Sequence, residues 1–211
     1  MRFSSTNKLF LLIMLVTVMS SCRSVYNSYP PVSVREDCLM ELGPRFQNEL
    51  YKAQVDITGR SLGGLLLIKK MPDASTRIVF STEMGVKFFD FEFRENGEFK
   101  VIDILKKLNR KPVISALRQD FEILLMQERG KIPERILEHG NYLYHGYSKG
   151  KKQAWYLTDK DCQHLVGAEL SSTRKPLVRL NYFYQGIGNP DSIQIRHLNF
   201  SFNIALKKLE R

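Results

Sequence analysis

The chain has 211 residues, of which 26% are charged and 43% are hydrophobic. This composition excludes a disordered protein, and the length is sufficient for one domain with a substantial core. The formal net charge of +10 predicts an anionic partner, which for an exported protein is an acidic protein or a lipid headgroup rather than nucleic acid.

The first 21 residues have the organisation of an export signal. Two basic residues precede the apolar run at residues 9–18, which is too short for a membrane span of roughly 20 residues. Two serines then precede Cys22, as in the lipobox of bacterial lipoproteins, although Met19 stands where leucine is commonest. A secreted protein with a chance cysteine is the alternative. Residues 1–21 are therefore predicted to be a lipoprotein signal peptide, with lipid attached covalently to Cys22.

Residues 22–44 are predicted to be the acylated cysteine and a flexible tether, because the segment after Cys22 is rich in Ser and Pro and lacks helical or strand periodicity. Arg23 is not the aspartate that marks retention in the inner membrane. By resemblance to lipoproteins of well-studied Gram-negative bacteria, the chain is expected to be lipid-anchored in the outer membrane. Whether it faces the periplasm or the outside is open; the periplasm is favoured because no acidic run follows the cysteine. Its basic clusters at 106–111, 149–152 and 207–211 are predicted to be solvated faces.

Two further cysteines, Cys38 and Cys162, belong to the mature chain. An exported protein folds in an oxidising compartment, where a disulfide is possible. The sequence leaves open whether these two cysteines are adjacent.

The first half of the mature chain predicts four strands joined by short turns. Apolar and polar residues alternate over 49–57, and strand patterns follow at 65–71, 76–83 and 86–93. The last two flank a turn at Met84 and Gly85. The pattern therefore predicts an antiparallel meander.

Helical spacing of apolar residues replaces the strand pattern over 101–127. It predicts two helices, the second with Pro112 in its first turn. Five strands follow, at residues 141–148, 153–159, 164–171, 176–184 and 192–209. The last strand changes phase at residues 197–198, which predicts a bulge or bend. About nine strands are expected in all.

A long antiparallel sheet with one apolar face needs a cover, and only two to three helices are available for it. The predicted fold is mainly β. We expect residues 45–211 to form a curved antiparallel half-barrel, capped by helices around an apolar cavity.

The order of these parts resembles the LolA/LolB superfamily of lipoprotein carriers, in particular LolB-like outer-membrane receptors. The resemblance rests on Cys22, "ITGRSLGGLLLI", "TEMG" and "KPVISALRQDFEILL". It implies a receptor that takes lipoproteins or other acylated amphiphiles from a periplasmic carrier protein and delivers them to outer-membrane lipid. It implies neither a cofactor nor a nucleic-acid partner.

The resemblance also implies two kinds of site. In LolB-like proteins the loop that matches "TEMG" carries a protruding aliphatic residue that enters the membrane, which suggests Met84 and Gly85 as a membrane-insertion loop. The alternative is a turn residue that folds back onto its hairpin. The candidates for lining an acyl cavity are the apolar residues Ile78, Phe80, Phe89, Phe91, Phe93, Leu117, Phe121, Phe200, Phe202 and Ile204.

Enzymatic and metal-binding signatures are missing from the sequence. It contains no nucleophile elbow, phosphate loop, H-E-x-x-H or C-x-x-C motif, and its four histidines are scattered. Asp90 and Glu92 are expected on a solvated outer face. The prediction is a protein that is not an enzyme and has no metal site.

The alternative function is an envelope lipoprotein that uses the same fold as a binding or assembly module, or that carries another amphiphile such as a glycolipid. A continuous apolar space in the half-barrel would favour the carrier. An interior filled with side chains, with no continuous apolar space, would contradict the carrier and favour the module.

Overall fold

The computed structural model describes residues 24–34, 38–57 and 59–209 of the chain. They form one sheet of twelve antiparallel strands, two α-helices and one 3-10 helix. The strands are β1 Asn48–Ile57, β2 Arg60–Lys70, β3 Thr76–Ser81, β4 Lys87–Phe93, β5 Phe99–Ile104, β6 Arg135–His139, β7 Tyr142–Lys149, β8 Lys152–Asp159, β9 Leu165–Ser171, β10 Pro176–Phe183, β11 Ser192–His197 and β12 Phe202–Lys208. The helices are α1 Cys38–Glu41, α2 Lys111–Leu124 and the 3-10 helix Val25–Ser28. The predicted signal peptide and Cys22 lie outside the described residues.

The sheet is open, with β5 and β6 at its two edges and β1 paired with β12 near its centre. Successive side chains of a strand point to opposite faces of the sheet, so one set faces the core. In β1, for example, Tyr51, Ala53 and Val55 are buried while Lys52 and Gln54 are exposed. One hydrophobic core joins strands from both halves of the sheet with α2. The sheet must therefore curl around α2, and the predicted curved antiparallel half-barrel is confirmed.

Helix α2 covers the concave face of the sheet. Pro112 lies in its first turn, as predicted. Its buried apolar side chains include Leu117, Phe121 and Leu124, which recur at three- and four-residue spacing and so share one face. Within the described ranges, none of the helices is both long and apolar enough to cross a membrane.

Three of the sequence predictions about the strands were wrong. The predicted first helix is strand β5 followed by a turn, because β5 pairs with the free edge of β4. Strand β6 was missed, although it pairs with β7. The single long strand predicted for 192–209 is two strands, β11 and β12, that pair with each other after a turn at 198–201. These changes raise the nine expected strands to twelve.

Residues 24–34, which were predicted to be part of a flexible tether, pack against the convex face of the sheet; we call them the N-terminal strap. Tyr26 is 1% exposed and belongs to a second, smaller apolar cluster with Tyr144 and Trp155. Val32 donates a hydrogen bond to the carbonyl of Ile136 at the edge of β6. The predicted tether is therefore folded over this part of its length.

Cys38 and Cys162 form a disulfide, with their Cα atoms 6.1 Å apart. The bond joins α1 to the turn between β8 and β9. It closes a chain separation of 124 residues, which settles the pairing that the sequence left open.

The antiparallel strands place alternate connections at opposite ends of the sheet. We define the lower end by the connections at residues 82–86, 105–110, 150–151, 172–175 and 198–201. The upper end is defined by the connections at residues 71–75, 94–98, 140–141, 160–164 and 184–191.

Candidate functional site

The tip of the β3–β4 hairpin holds two apolar side chains out into solvent. The backbone N–H of Gly85 donates to the carbonyl of Thr82, and the Thr82 N–H donates to the carbonyl of Val86. Gly85 has φ +85°, a left-handed conformation that glycine adopts without strain. Met84 is 90% exposed and Val86 55% exposed. Met84 is thus not folded back onto its hairpin, while its role at a membrane stays a prediction.

Most acyl-cavity candidates pack against one another on the concave face. Nine of the ten are at most 4% exposed. The ring centroids of Phe89 and Phe91 are 4.5 Å apart, and Phe121 of α2 lies 5.7 Å from Phe89 and 6.3 Å from Phe93. Side chains of α2 therefore occupy the space that an acyl chain would need along these residues. An acyl chain can reach them only when α2 moves.

Phe200 is the exception among the ten candidates. It lies in the turn between β11 and β12 and is 45% exposed. Its ring is stacked parallel to that of Phe202, with the centroids 5.9 Å apart. The expectation that Phe200 lines an interior cavity was wrong, because the turn that separates β11 from β12 carries it to the lower end.

A cleft at the upper end leads towards the concave core. It has a volume of about 500 Å³, within the range of roughly 300–1,000 Å³ typical of ligand sites. Phe46, Phe93, Leu125 and Met126 supply apolar walls, and Arg129 stands at its rim. Phe93 thus borders this cleft and also packs against Phe121, so that movement of α2 would extend the cleft into the aromatic cluster.

Arg129 holds the rim of this upper cleft in place. Its Nη2 donates to the carbonyls of Leu42 at 3.1 Å and Pro44 at 2.8 Å. Burial lowers the pKa of the Arg129 guanidinium, with the nearby Arg45 charge acting in the same direction. The segment between α1 and β1 is thereby tied to the chain that follows α2.

A buried acid–imidazole pair joins α2 to the sheet. Asp120 is fully buried, and its Oδ2 lies 2.9 Å from Nε2 of His197, which is 8% exposed. Burial raises the pKa of the Asp120 carboxyl, and the hydrogen bond and charge of His197 oppose that shift. Asp120 lies beside a small cleft of about 190 Å³ that Pro112 and Phe200 also line.

The pairing of Asp120 with His197 was not predicted. The available signal is that Asp120 directly precedes Phe121 on the wide apolar face of α2, where a carboxylate must find a partner. No local pattern identifies that partner, which is 77 residues away.

His145 packs against the disulfide. It is fully buried, with Nε2 3.0 Å from Oγ1 of Thr158 and 3.8 Å from Sγ of Cys38. Burial lowers the pKa of His145 to about 4, so the ring is neutral at physiological pH. Ligand atoms of Cys38, His145 and Cys162 lie within 4.8 Å of one another. The two sulfurs are bonded to each other, however, and metal coordination by cysteine requires thiolates.

Asp90 was expected on a solvated face, which was wrong. It is 2% exposed and accepts hydrogen bonds from Nε and Nη2 of Arg77 at 2.9 and 2.6 Å. Lys87 lies 3.3 Å from the same carboxylate. Glu92 instead pairs with Arg94 at 3.1 Å. The two carboxylates serve separate ion pairs. Val79 lies directly opposite Asp90 on β3, and Arg77 reaches the buried Asp90 carboxylate diagonally from its position opposite Glu92.

No protein-family model matches this chain. No curated protein matches it in sequence.

Three solved structures that resemble this fold are distant from the chain in sequence. A DUF1329 family protein from Desulfovibrio piger is 10% identical, with 81% of this chain and 86% of that chain covered and a TM-score of 0.46. A LolA superfamily protein from Nitrosomonas europaea is 8% identical, with coverage of 83% and 90% and a TM-score of 0.44. A putative outer membrane lipoprotein-sorting protein domain from Vibrio parahaemolyticus is 8% identical, with coverage of 80% and 86% and a TM-score of 0.48. Similarity at this level does not bear on what the present chain binds.

Proposed function

We propose that this chain is a lipid-anchored protein of the bacterial outer membrane that faces the periplasm, binds acyl chains of lipoproteins and delivers them to the membrane. The observation that carries the proposal is the combination of an open half-barrel, an aromatic concave face and one amphipathic helix that covers it. The export signal and Cys22 supply the expected location and anchor.

Acyl binding in this proposal begins at the upper cleft. Apolar side chains of Phe93, Leu125 and Met126 meet an incoming chain there. Displacement of α2 then exposes Phe89, Phe91 and the facing strands. Each buried CH₂ group contributes about 0.8 kcal/mol, and the bilayer offers nearly the same contribution on release. Binding and delivery then require neither a catalytic step nor a cofactor.

The packing of the concave face favours the second candidate, a binding or assembly module. Phe91 and Phe121 are fully buried, and Phe89 is 3% exposed. If α2 never leaves these residues, ligands are restricted to the clefts and the outer surface. Acyl binding therefore discriminates between the two functions.

The direct test is displacement of a fluorescent sixteen-carbon fatty acid from the purified protein. We expect saturable binding, and we expect Leu125→Trp, which places a larger side chain in the wall of the upper cleft, to weaken it at least tenfold. The matched control is Ile132→Trp, because Ile132 is 65% exposed and does not line that cleft. An absence of probe binding by the unmodified chain would leave the binding module as the function.

The test in cells is quantitative proteomics of inner- and outer-membrane fractions after depletion of the protein. A shift of many lipoproteins away from the outer membrane supports a general receptor. We expect complementation by Met84→Glu to be slow, because a carboxylate at this 90% exposed position opposes membrane entry. Unchanged delivery would remove Met84 from the mechanism.

A further inference from the structure

The N-terminal strap is held along the convex face by its aromatic side chains. Tyr26 stacks on Trp155 with ring centroids 4.5 Å apart, and its hydroxyl donates to Oε2 of Glu169 at 2.7 Å. Glu169 is 2% exposed and also accepts a hydrogen bond from Nε of Arg179 at 2.7 Å. Ring stacking and a buried hydrogen bond therefore hold Tyr26, and with it the strap, on the sheet.

Backbone hydrogen bonds fix the direction in which the strap runs. The N–H of Val25 donates to the carbonyl of Arg174, which lies in a lower-end turn, at 3.0 Å. Farther along, the N–H of Glu138 in β6 donates to the carbonyl of Pro30 at 2.9 Å. The chain then reaches Cys38, whose disulfide partner lies at the upper end. Val25 therefore lies at the lower end and Cys38 at the upper end, while residues 30–32 between them run antiparallel to β6.

Covalent geometry places the predicted anchor close to the lower end. Cys22 precedes Val25 by three residues, and a fully extended chain spans at most about 3.6 Å per residue. The Cα atom of Cys22 therefore lies within roughly 11 Å of Val25. Lipid attached to Cys22 would therefore be tethered nearer to the lower end than to the upper end.

Charge separates the same two ends. The connections that define the lower end contain six Lys and Arg residues and one acid, Glu83. Those basic residues, all exposed, are Lys106, Lys107, Arg110, Lys151, Arg174 and Lys175. The connections that define the upper end contain two Lys and Arg residues and five acids. The lower-end connections, next to Val25 and the predicted anchor, are thus basic, whereas the upper-end connections are acidic.

Exposed apolar side chains follow the same division. The lower-end connections carry Met84, Val86, Leu105, Leu198 and Phe200, each at least 39% exposed. In the upper-end connections the large hydrophobic residue exposed to this degree, among the described residues, is Ile187. Basic and apolar side chains on one surface are the combination that binds anionic bilayers.

We propose that the docked N-terminal strap orients the anchored protein, so that its lower end rests on an anionic lipid bilayer and its upper cleft faces away from it. The inference rests on the anchor at Cys22 from the proposed function. It adds a role for the strap. A free tether would let the domain rotate above the membrane, whereas the docked strap fixes its orientation. The upper cleft is then open to cargo arriving from the aqueous side.

The test uses the full acylated chain, with the lipid verified by intact mass, in vesicles of phosphatidylethanolamine and phosphatidylglycerol. Amide hydrogen exchange then reports which end contacts lipid. We expect the connections at 82–86 and 105–110 to be protected relative to the detergent-solubilised protein, and those at 94–98 and 184–191 to be unchanged. Protection of the upper end, or of neither end, overturns the proposal.

Charge is tested by Lys106→Gln with Lys107→Gln. Each basic residue near an anionic surface strengthens binding about fivefold, so we expect the equilibrium constant for docking of the lower end on the bilayer to fall roughly 25-fold, and its amide protection to fall with it. The matched control is Lys52→Gln with Lys207→Gln, which removes the same charge from exposed positions on paired strands. If both double variants lost lower-end protection equally, the effect would be one of net charge in general, and the assignment of the lower end to the membrane would be overturned.

The strap is tested by Tyr26→Ala, with Tyr142→Ala at a 43% exposed position as control. Trp155 is the single tryptophan, so acrylamide quenching of its fluorescence reports release of the strap. We expect greater quenching and a loss of lower-end protection, while the protein stays in the vesicles. If Tyr26→Ala leaves the strap docked, Val32→Pro removes its hydrogen bond to Ile136. A released strap with unchanged lower-end protection overturns the proposal.

The outcomes separate this inference from the carrier function. Lower-end protection without fatty-acid binding leaves the orientation standing and removes the carrier role. Fatty-acid binding without lower-end protection leaves the carrier role standing and removes the orientation.

Discussion

Asp120 and His197 connect helix α2 to strand β11 through a hydrogen bond of 2.9 Å between Oδ2 and Nε2. Asp120 is fully buried, and its Oδ1 has no hydrogen-bond partner within the described residues. A half-satisfied buried carboxylate destabilises the state that buries it. The pair therefore holds α2 on the concave face less firmly than an apolar contact of the same size would.

This pair makes the stability of the protein depend on pH. Burial raises the pKa of the Asp120 carboxyl above its ordinary value, against the opposing effects of His197 and Lys152. The folded state thus favours the protonated acid. The stabilisation of the folded state by the protonated Asp120 carboxyl is fully present below its pKa in the unfolded chain, about 3.9. It is lost as pH rises through the pKa of Asp120 in the folded state.

We expect Asp120→Asn to remove this loss, because asparagine cannot ionise. The free energy of unfolding of the variant, relative to that of the unmodified chain, should increase as pH rises from about 4 to 7. Urea denaturation at several pH values measures the difference. Asp161→Asn, at an exposed position, is the control. A difference that is constant with pH would contradict the assignment.

His145 predicts the opposite pH dependence. Burial lowers its pKa to about 4, so the folded state favours the neutral ring. The stabilisation of the folded state by the neutral His145 ring is present above its pKa in the unfolded chain, about 6.5. As pH falls towards 4, the free energy of unfolding decreases by an amount on the order of 3 kcal/mol.

We expect His145→Asn to lower the free energy of unfolding at pH 7. Between pH 6.5 and 4.5, however, the free energy of unfolding should fall less in the variant than in the unmodified chain. The same urea titration measures this, with the exposed His164→Gln as the control. Parallel curves for the variant and the unmodified chain would show that His145 does not titrate in this range.

Gly64 is required by the close approach of β3. A Cβ atom added to Gly64 would lie 2.2 Å from the carbonyl oxygen of Ser81, whereas one added to Gly63 would meet nothing within 4 Å. We expect Gly64→Ala to lower the free energy of unfolding by about 1–3 kcal/mol, because backbone must shift. Gly63→Ala is the matched control and should be neutral or slightly stabilising. Equal effects in a thermal or urea unfolding experiment would contradict this difference.

The disulfide between Cys38 and Cys162 closes a separation of 124 residues. In the chain-entropy description, a loop of about this length contributes on the order of 4–5 kcal/mol by restricting the unfolded state. We expect Cys38→Ser with Cys162→Ser to lower the melting temperature, and a reductant to have the same effect on the unmodified chain. The double variant itself should not respond to reductant. An unmodified chain that is equally stable with and without reductant would refute the contribution.

Local patterns predicted the parts of the sheet where side-chain alternation is strong. Strands β1 and β3 were predicted because each buries alternate residues, and β4 because Phe89, Phe91 and Phe93 recur at every second position. The turn at Met84 was predicted because it lies between two such patterns. Strand β5 was misread as a helix because its exposed residues Val101 and Ile102 lie at the edge, where little burial constrains the pattern. Its pairing with β4 decides the structure, and that pairing is not encoded in β5 alone.

The sequence by itself determined the mainly β class, helix α2 and the aromatic face, because these depend on composition and on periodicity over a few neighbouring residues. The export signal stays a prediction, since it lies outside the described residues. Tertiary structure alone decided the partner of Cys38, the burial of Asp120 against His197 and the docking of Tyr26 on Trp155. Each of these contacts joins residues at least 77 positions apart. Such contacts form only when the curled sheet brings distant segments together, so local sequence carries no signal for them.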